Sequence, residues 1–219
     1  MEPSAVQTAQ AALLLTFWNP PMKADSKPNS MWLMIAIDNA KRVQADRESD
    51  VSTLTTRDGC TRATLTRLWW CCIIRDRILS LGLRREIQIT PAHFNFQKNE
   101  RLGCLELQAE IRRSKSHCER SREGLSIVIE QTVSLSIVLT DTLLLVFPLK
   151  RTMDSLADVR SSKAQLAKCK EALSKWYDES LLCGDCADKY TADQPVMINF
   201  SLLSIYYQYV AQPRKGIDY

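Results

Sequence analysis

Glycine and proline are scarce in this chain, with 6 and 8 among 219 residues. That scarcity argues against a turn-rich β fold, because hairpins and tight corners draw on both residues. Histidine is scarcer still, with two, His93 and His117. No pair of them stands at metal-ligand spacing, and no His-Glu-x-x-His helix is present. A Gly-rich phosphate loop and a Gly-x-Ser-x-Gly elbow are missing as well. The sequence therefore nominates no catalytic residue, no cofactor-binding residue and no metal ligand. A basic, apolar leader is lacking too. Met1-Glu2-Pro3 carries no positive start, and the apolar run at Ala11 to Leu15 is short for a signal. A reducing compartment is the expected setting, with the eight cysteines mostly free thiols.

What remains is a helical composition. Hydrophobic residues make up 45% and charged residues 25%, ordinary values for a folded domain. Six segments show helical spacing. Ala11, Leu14, Leu15 and Trp18 mark the first, which stops at Asn19-Pro20-Pro21. Asn29 or Ser30 can cap the second, whose stripe is Trp32, Ile35, Ala36, Ala40 and Val43. Leu65, Leu68, Trp69, Cys72, Ile73 and Leu79 give the third one buried face, and Gly82 suits its end. Residues 125–149 form the most apolar stretch. Glu130, Gln131 and Asp141 within it favour a buried core helix over a membrane span, since one mid-membrane carboxylate costs about 2.5–3.5 kcal/mol. The fifth segment, 153–177, has Leu156, Val159, Leu166, Cys169, Leu173 and Trp176 on its apolar face. The sixth, 196–210, is rich in tyrosine. The expected fold is all-α, an irregular bundle of about six or more helices in a single domain over 1–219. Residues 97–124 read as a charged linker or loop within it.

Four constellations bear on function. Adjacent helical residues lie about 100° apart, so Trp69 and Trp70 cannot face the same way. One is expected in the core and the other against a second helix or a partner. Asp76, between Arg75 and Arg77, falls on the apolar face four residues after Cys72. A carboxylate there requires a cation, and a structural ion pair is the expected role, with a switch or partner contact as the functional alternative. Arg112, Arg113, Lys115, Arg120 and Arg122 stand against Glu119 in one short run, an excess equal to the +4 of the whole chain. That run reads as a solvated linker or as a nuclear-import patch, with Ser114, Ser116 and Ser121 open to phosphorylation. Cys183-x-x-Cys186 offers half a zinc site without a second half nearby, so two loop thiols is the plainer reading. His117-Cys118 lacks an orienting carboxylate for nucleophilic work.

The run Arg67-Leu68-Trp69-Trp70-Cys71-Cys72, then Arg75-Asp76-Arg77 and Leu81-Gly82-Leu83-Arg84-Arg85, resembles the hallmark helix of the fungal-specific transcription factor domain. This is the middle homology region of fungal zinc-cluster regulators, here nearest the cutinase transcription factor type. Residues 10–15 and 31–37 resemble the two helices before the hallmark. Cys169, Leu173 and Trp176 resemble a later helix, and 202–213 resembles the tyrosine-rich closing helix. Departures are Gln44-Ala45-Asp46-Arg47 where the family has Gly-Leu-His-Arg, Glu86 for a proline, and Ala211-Gln212-Pro213 for His-Arg-Pro. The family's six-cysteine DNA-reading module has no counterpart in these residues. The resemblance implies a regulatory domain, truncated at both ends, that works in the nucleus without catalysis. It implies zinc and DNA contact only through the missing module, with protein partners of the transcription machinery or self-association, and no membrane. A helical small-ligand-binding protein or an enzyme of unknown reaction is the alternative.

Overall fold

The computed structural model describes residues 4–18, 28–47, 62–96, 101–103, 107–108, 111–112, 115, 118–148, 156–182 and 192–211. Among these residues there are six long α-helices and no strand. They are α1 Ala5–Leu15, α2 Pro28–Arg42, α3 Arg62–Leu83, α4 Glu119–Val146, α5 Leu156–Leu182 and α6 Gln194–Ala211. The all-α expectation holds. Two compact units emerge from the internal contacts. One comprises Met1–Leu102 with Val146–Leu149, and the other Gly103–Leu145 with Lys150–Tyr219.

The first unit holds α1, α2 and α3, each packed on the other two. A capping box starts α1. Ser4 Oγ accepts from the Gln7 amide at 3.3 Å, and the Ser4 amide donates to Gln7 Oε1 at 3.2 Å. Such a cap contributes about 1 kcal/mol. The buried face of α1 is Val6, Ala9 and Ala12, followed by Thr16. Leu14 and Trp18, which share the helical spacing, are 72% and 56% exposed, so size does not choose the inward face here. Small residues do, because Ala36 and Ala40 on α2 are also fully buried and let the two helices approach closely.

Helix α2 opens on Pro28, one residue ahead of the expected cap, where proline's missing N–H costs nothing. It ends at Arg42, and just beyond it Gln44 takes a left-handed φ of 57° while Ala45 N donates to Ala40 O at 3.0 Å. This is the Schellman closure. Helix α3 ends in the same way, and not at Gly82. Gly82 lies inside the helix, and Arg84 adopts φ 52° as Arg85 N reaches Ser80 O at 3.1 Å. The closing bond selects the position, and an arginine accepts the strained angle.

In the second unit α4 runs from Glu119, so the stretch read as linker over 97–124 yields its last turn and more to this helix. Val128, Val133, Leu135, Leu139 and Leu143 are buried along it. Three hydroxyls along its middle bond back to the helix itself. Thr132, Ser136 and Thr140 donate to the carbonyls of Val128, Thr132 and Ser136 at 2.7–2.9 Å, which gives each an acceptor one turn back. By length and composition α4 is apolar enough to cross a membrane, and 44% of its most apolar window is buried within the fold. A core helix passes the same test. Helix α5 buries Cys169, Leu173 and Trp176, and Trp176 Nε1 donates to Gln131 O of α4 at 3.3 Å. Leu166, expected on that face, is 41% exposed because the buried stripe does not reach so far toward the N-terminus.

Candidate functional site

The hallmark residues Trp69, Trp70, Arg75, Asp76 and Arg77 lie along the middle of α3. Trp69 and Trp70 are each 1% exposed, so both are buried and neither is left over for a surface. The returning chain, residues 86–96, covers the second face of the helix. Ile87, Ile89, Phe94 and Phe96 are buried in it, in two alternating pairs around Pro91. Phe94 stands edge-on to Trp70 at 5.8 Å between centroids and tilted to Trp69 at 5.9 Å. Phe96 lies 6.3 Å from Trp70 and 5.2 Å from Phe94. These are favourable aromatic geometries, worth about 0.5–1.5 kcal/mol per pair beyond area burial.

The triplet next to the tryptophans points in three directions. Arg75 reaches α1, where Nε donates to Thr16 Oγ1 at 2.8 Å and Nη2 to Thr16 O at 2.5 Å. Its guanidinium also lies 3.8 Å over the Phe17 ring. A helix end and an aromatic face are thus held by one planar fork, a geometry lysine cannot reproduce. Asp76 turns to the returning chain. Oδ2 accepts from the Gln88 and Ile89 amides, both at 3.0 Å, and Oδ1 also lies 3.0 Å from the Gln88 amide. Arg77 completes the junction, with Nη1 donating to Asp76 Oδ2 at 2.6 Å and Nη2 to Ile89 O at 2.8 Å. Its guanidinium stands 5.5 Å over Phe96. Ser80 Oγ adds a bond to Glu86 O at 3.2 Å.

Asp76 and Arg77 are both fully buried. Burial pushes the Asp76 carboxyl above its ordinary range, against the pull of Arg77 and of the Ile89 and Gln88 amides. Burial likewise pulls Arg77 down, against the attraction of Asp76. Each charge is tolerable because of the other and because the backbone fills their remaining hydrogen-bond sites. The Cys72 thiol beside them is pushed well up by burial, then by Cys71 and Asp76, and is inert. The arrangement positions backbone and excludes water. It sets no nucleophile beside a base.

The basic run is described in part. Arg112, Lys115 and Arg120 are exposed, Arg122 is half-buried on α4, and Arg113 lies outside the described residues, as do Ser114, Ser116 and His117. Ser121 is buried, donating to Asp193 Oδ2 at 2.5 Å and lying 3.1 Å from Cys118 Sγ. It is not open to modification in this state. Asp193 in turn caps α6 through the Val196 amide at 3.4 Å. Cys118 is exposed, and its thiol is held below the usual range chiefly by the Ser121 hydroxyl and amide. Cys183 and Cys186 lie outside the described residues, within which no group of three or more His, Cys, Asp or Glu could hold a metal ion.

Sequence reasoning missed Thr16, Phe94 and Phe96. The signal for the last two was present as Ile87-x-Ile89 and Phe94-x-Phe96, a period of two that marks an extended segment with one buried side. Nothing marked Thr16, whose role depends on where α1 ends beside α3.

Over 97 residues the chain is 32% identical to a transcription factor of Fusarium pseudograminearum (strain CS3096), covering 44% of this chain and 10% of that protein. Over 86 residues it is 30% identical to cutinase transcription factor 1 beta of Fusarium vanettenii, covering 39% of this chain and 9% of that protein. The chain thus spans about a tenth of the length of the curated relatives it matches. No family model matches it, and no solved structure does. Both relatives are named as transcription factors, and the likeness points to a role in transcriptional regulation.

Proposed function

We propose that the chain is a regulatory and interaction domain of the fungal-specific, zinc-cluster regulator type, acting in the nucleus without catalysis and without reading DNA itself. The likeness to two Fusarium transcription factors carries this reading. The geometry of α3 is consistent with it. Trp69, Trp70, Arg75, Asp76 and Arg77 are committed to holding helices and backbone together, the work of a rigid body that presents surfaces to protein partners or to a second copy. Zinc and direct DNA contact belong, on this reading, to a separate six-cysteine module. Arg112, Arg113, Lys115, Arg120 and Arg122 remain the candidates for nuclear import, with Arg112, Lys115 and Arg120 exposed.

The test is a reporter assay. The chain is fused to a heterologous DNA-binding domain and expressed in yeast. Reporter output is expected to change at least threefold against the DNA-binding domain alone. Unchanged output from a well-expressed fusion sinks the regulatory reading. Tight, sequence-specific binding of the isolated chain in a gel-shift assay sinks its DNA-free part.

A further inference from the structure

The segment over α3 is held in an unusual way for a core element. Among the described residues it has no strand partner. Side chains of one helix read its backbone instead: Asp76 takes the Gln88 and Ile89 amides, Arg77 takes the Ile89 carbonyl, and Ser80 takes the Glu86 carbonyl. Phe94 and Phe96 then pack on Trp69 and Trp70, and Ile87 and Ile89 are buried at the same alternating spacing. Backbone contacts for affinity and alternate side chains for specificity are the logic by which proteins bind extended peptides. Two observations mark the fit as incomplete. Trp69, whose indole packs on Phe94, is 1% exposed, yet its Nε1 donor has no acceptor. An unmet buried donor costs about 1–3 kcal/mol. The segment also leaves α3 through Arg84, a non-glycine residue at φ 52°, so its hinge is strained.

We propose that residues 86–96 are an exchangeable strap, and that the α3 wall beneath them binds an extended peptide of a partner protein in their place. The partner segment carries two branched apolar residues two apart, then two aromatics two apart. It also brings a carbonyl or side-chain oxygen for Trp69 Nε1. This assigns one partner chemistry to the interaction domain proposed above and rests on that reading for its setting alone. A failed exchange leaves the reporter result standing, and the reverse also holds.

The experiment has two arms on the full chain. In the first, native-state hydrogen exchange is followed on the unaltered protein. The Gln88 and Ile89 amides are expected to exchange at least tenfold faster than the buried turns of α3, through an opening that leaves α3 protected. Equal protection of strap and helix overturns the proposal. In the second, a fluorescein-labelled peptide with the sequence of residues 86–96 is titrated by anisotropy. Weakening the resident strap with Phe94→Ala is expected to tighten peptide binding at least tenfold over the unaltered chain. Adding Asp76→Asn, on the wall, is expected to abolish that gain. Binding that ignores the strap variant, or that survives Asp76→Asn, overturns it. Dimers of the unaltered chain that the peptide dissolves make a second copy the occupant and overturn the assignment to a partner.

Discussion

The C-terminal half of α3 and the middle of α4 are both buried, both helical and both rich in groups that hydrogen bond, yet they solve the same problem in opposite ways. At α3 the polar groups reach outward: Arg75 to Thr16, Asp76 to two strap amides, Arg77 to a strap carbonyl. At α4 they fold inward, with Thr132, Ser136 and Thr140 each returning to its own helix. Outward bonds fix where a neighbouring segment must lie. Inward bonds neutralise polarity and leave position to apolar packing and to contacts such as Trp176–Gln131. The difference teaches that burial of polar groups specifies tertiary structure when the partner lies on another segment.

The largest test of that contrast is Asp76→Ala. It leaves Arg77 buried without its counter-ion, and stability measured by urea denaturation should fall by about 3–5 kcal/mol. A loss under about 1 kcal/mol would erase the distinction. Leu143→Ala in α4 should cost about 2–5 kcal/mol by cavity formation, whereas Thr140→Val, which deletes an inward bond, should change stability by less than about 1 kcal/mol. Arg75→Lys keeps the charge and loses the fork on Thr16. A cost of about 1.5–3 kcal/mol is expected, with α1 fraying visible as faster amide exchange at its last turn. Gly82→Ala should raise stability by up to about 1 kcal/mol, since a Cβ there meets nothing within 4 Å and the helix continues past it.

Thiol chemistry sharpens the contrast. Exposed Cys118, with its lowered thiol, should react with a disulfide reagent well before buried Cys72 and Cys169, and equal rates would contradict the burial pattern. Cys72 also sets a sign for pH. Its folded thiol keeps its proton above the value of about 8.5 at which an unfolded thiol loses it. Its contribution to stability is therefore complete below about pH 8.5 and declines as pH rises beyond.

Much of the fold was legible because helical spacing and breakers are local. The second helix near Asn29 and the long apolar helix follow from them, while the first helix ends at Leu15, ahead of the stop expected after Trp18. The inward face of α1 was not, because Ala9 and Ala12 win over Leu14 by fitting a close helix pair, which no single segment displays. Gly82 misled for a related reason: a helix ends where its closing bonds form, and Ser80 and Arg85 form them two residues later. At the site, a buried charge at Asp76 could be read from its phase. Its cation was adjacent, while its other partners lay 12 and 13 residues beyond in a segment with no regular structure.

The three divergent side chains of Arg75, Asp76 and Arg77 carry a consequence for how this gene can change. A substitution at one of them damages one attachment. Insertion or deletion of a single codon between Arg62 and Arg75 rotates everything downstream by about 100° and misdirects all three attachments together. Length in this helix is therefore constrained more tightly than composition. Flanking stretches can lengthen, shorten and drift, while the Trp-Trp block and its triplet stay at fixed spacing. A short run of recognisable residues inside unfamiliar sequence is the trace such a constraint leaves.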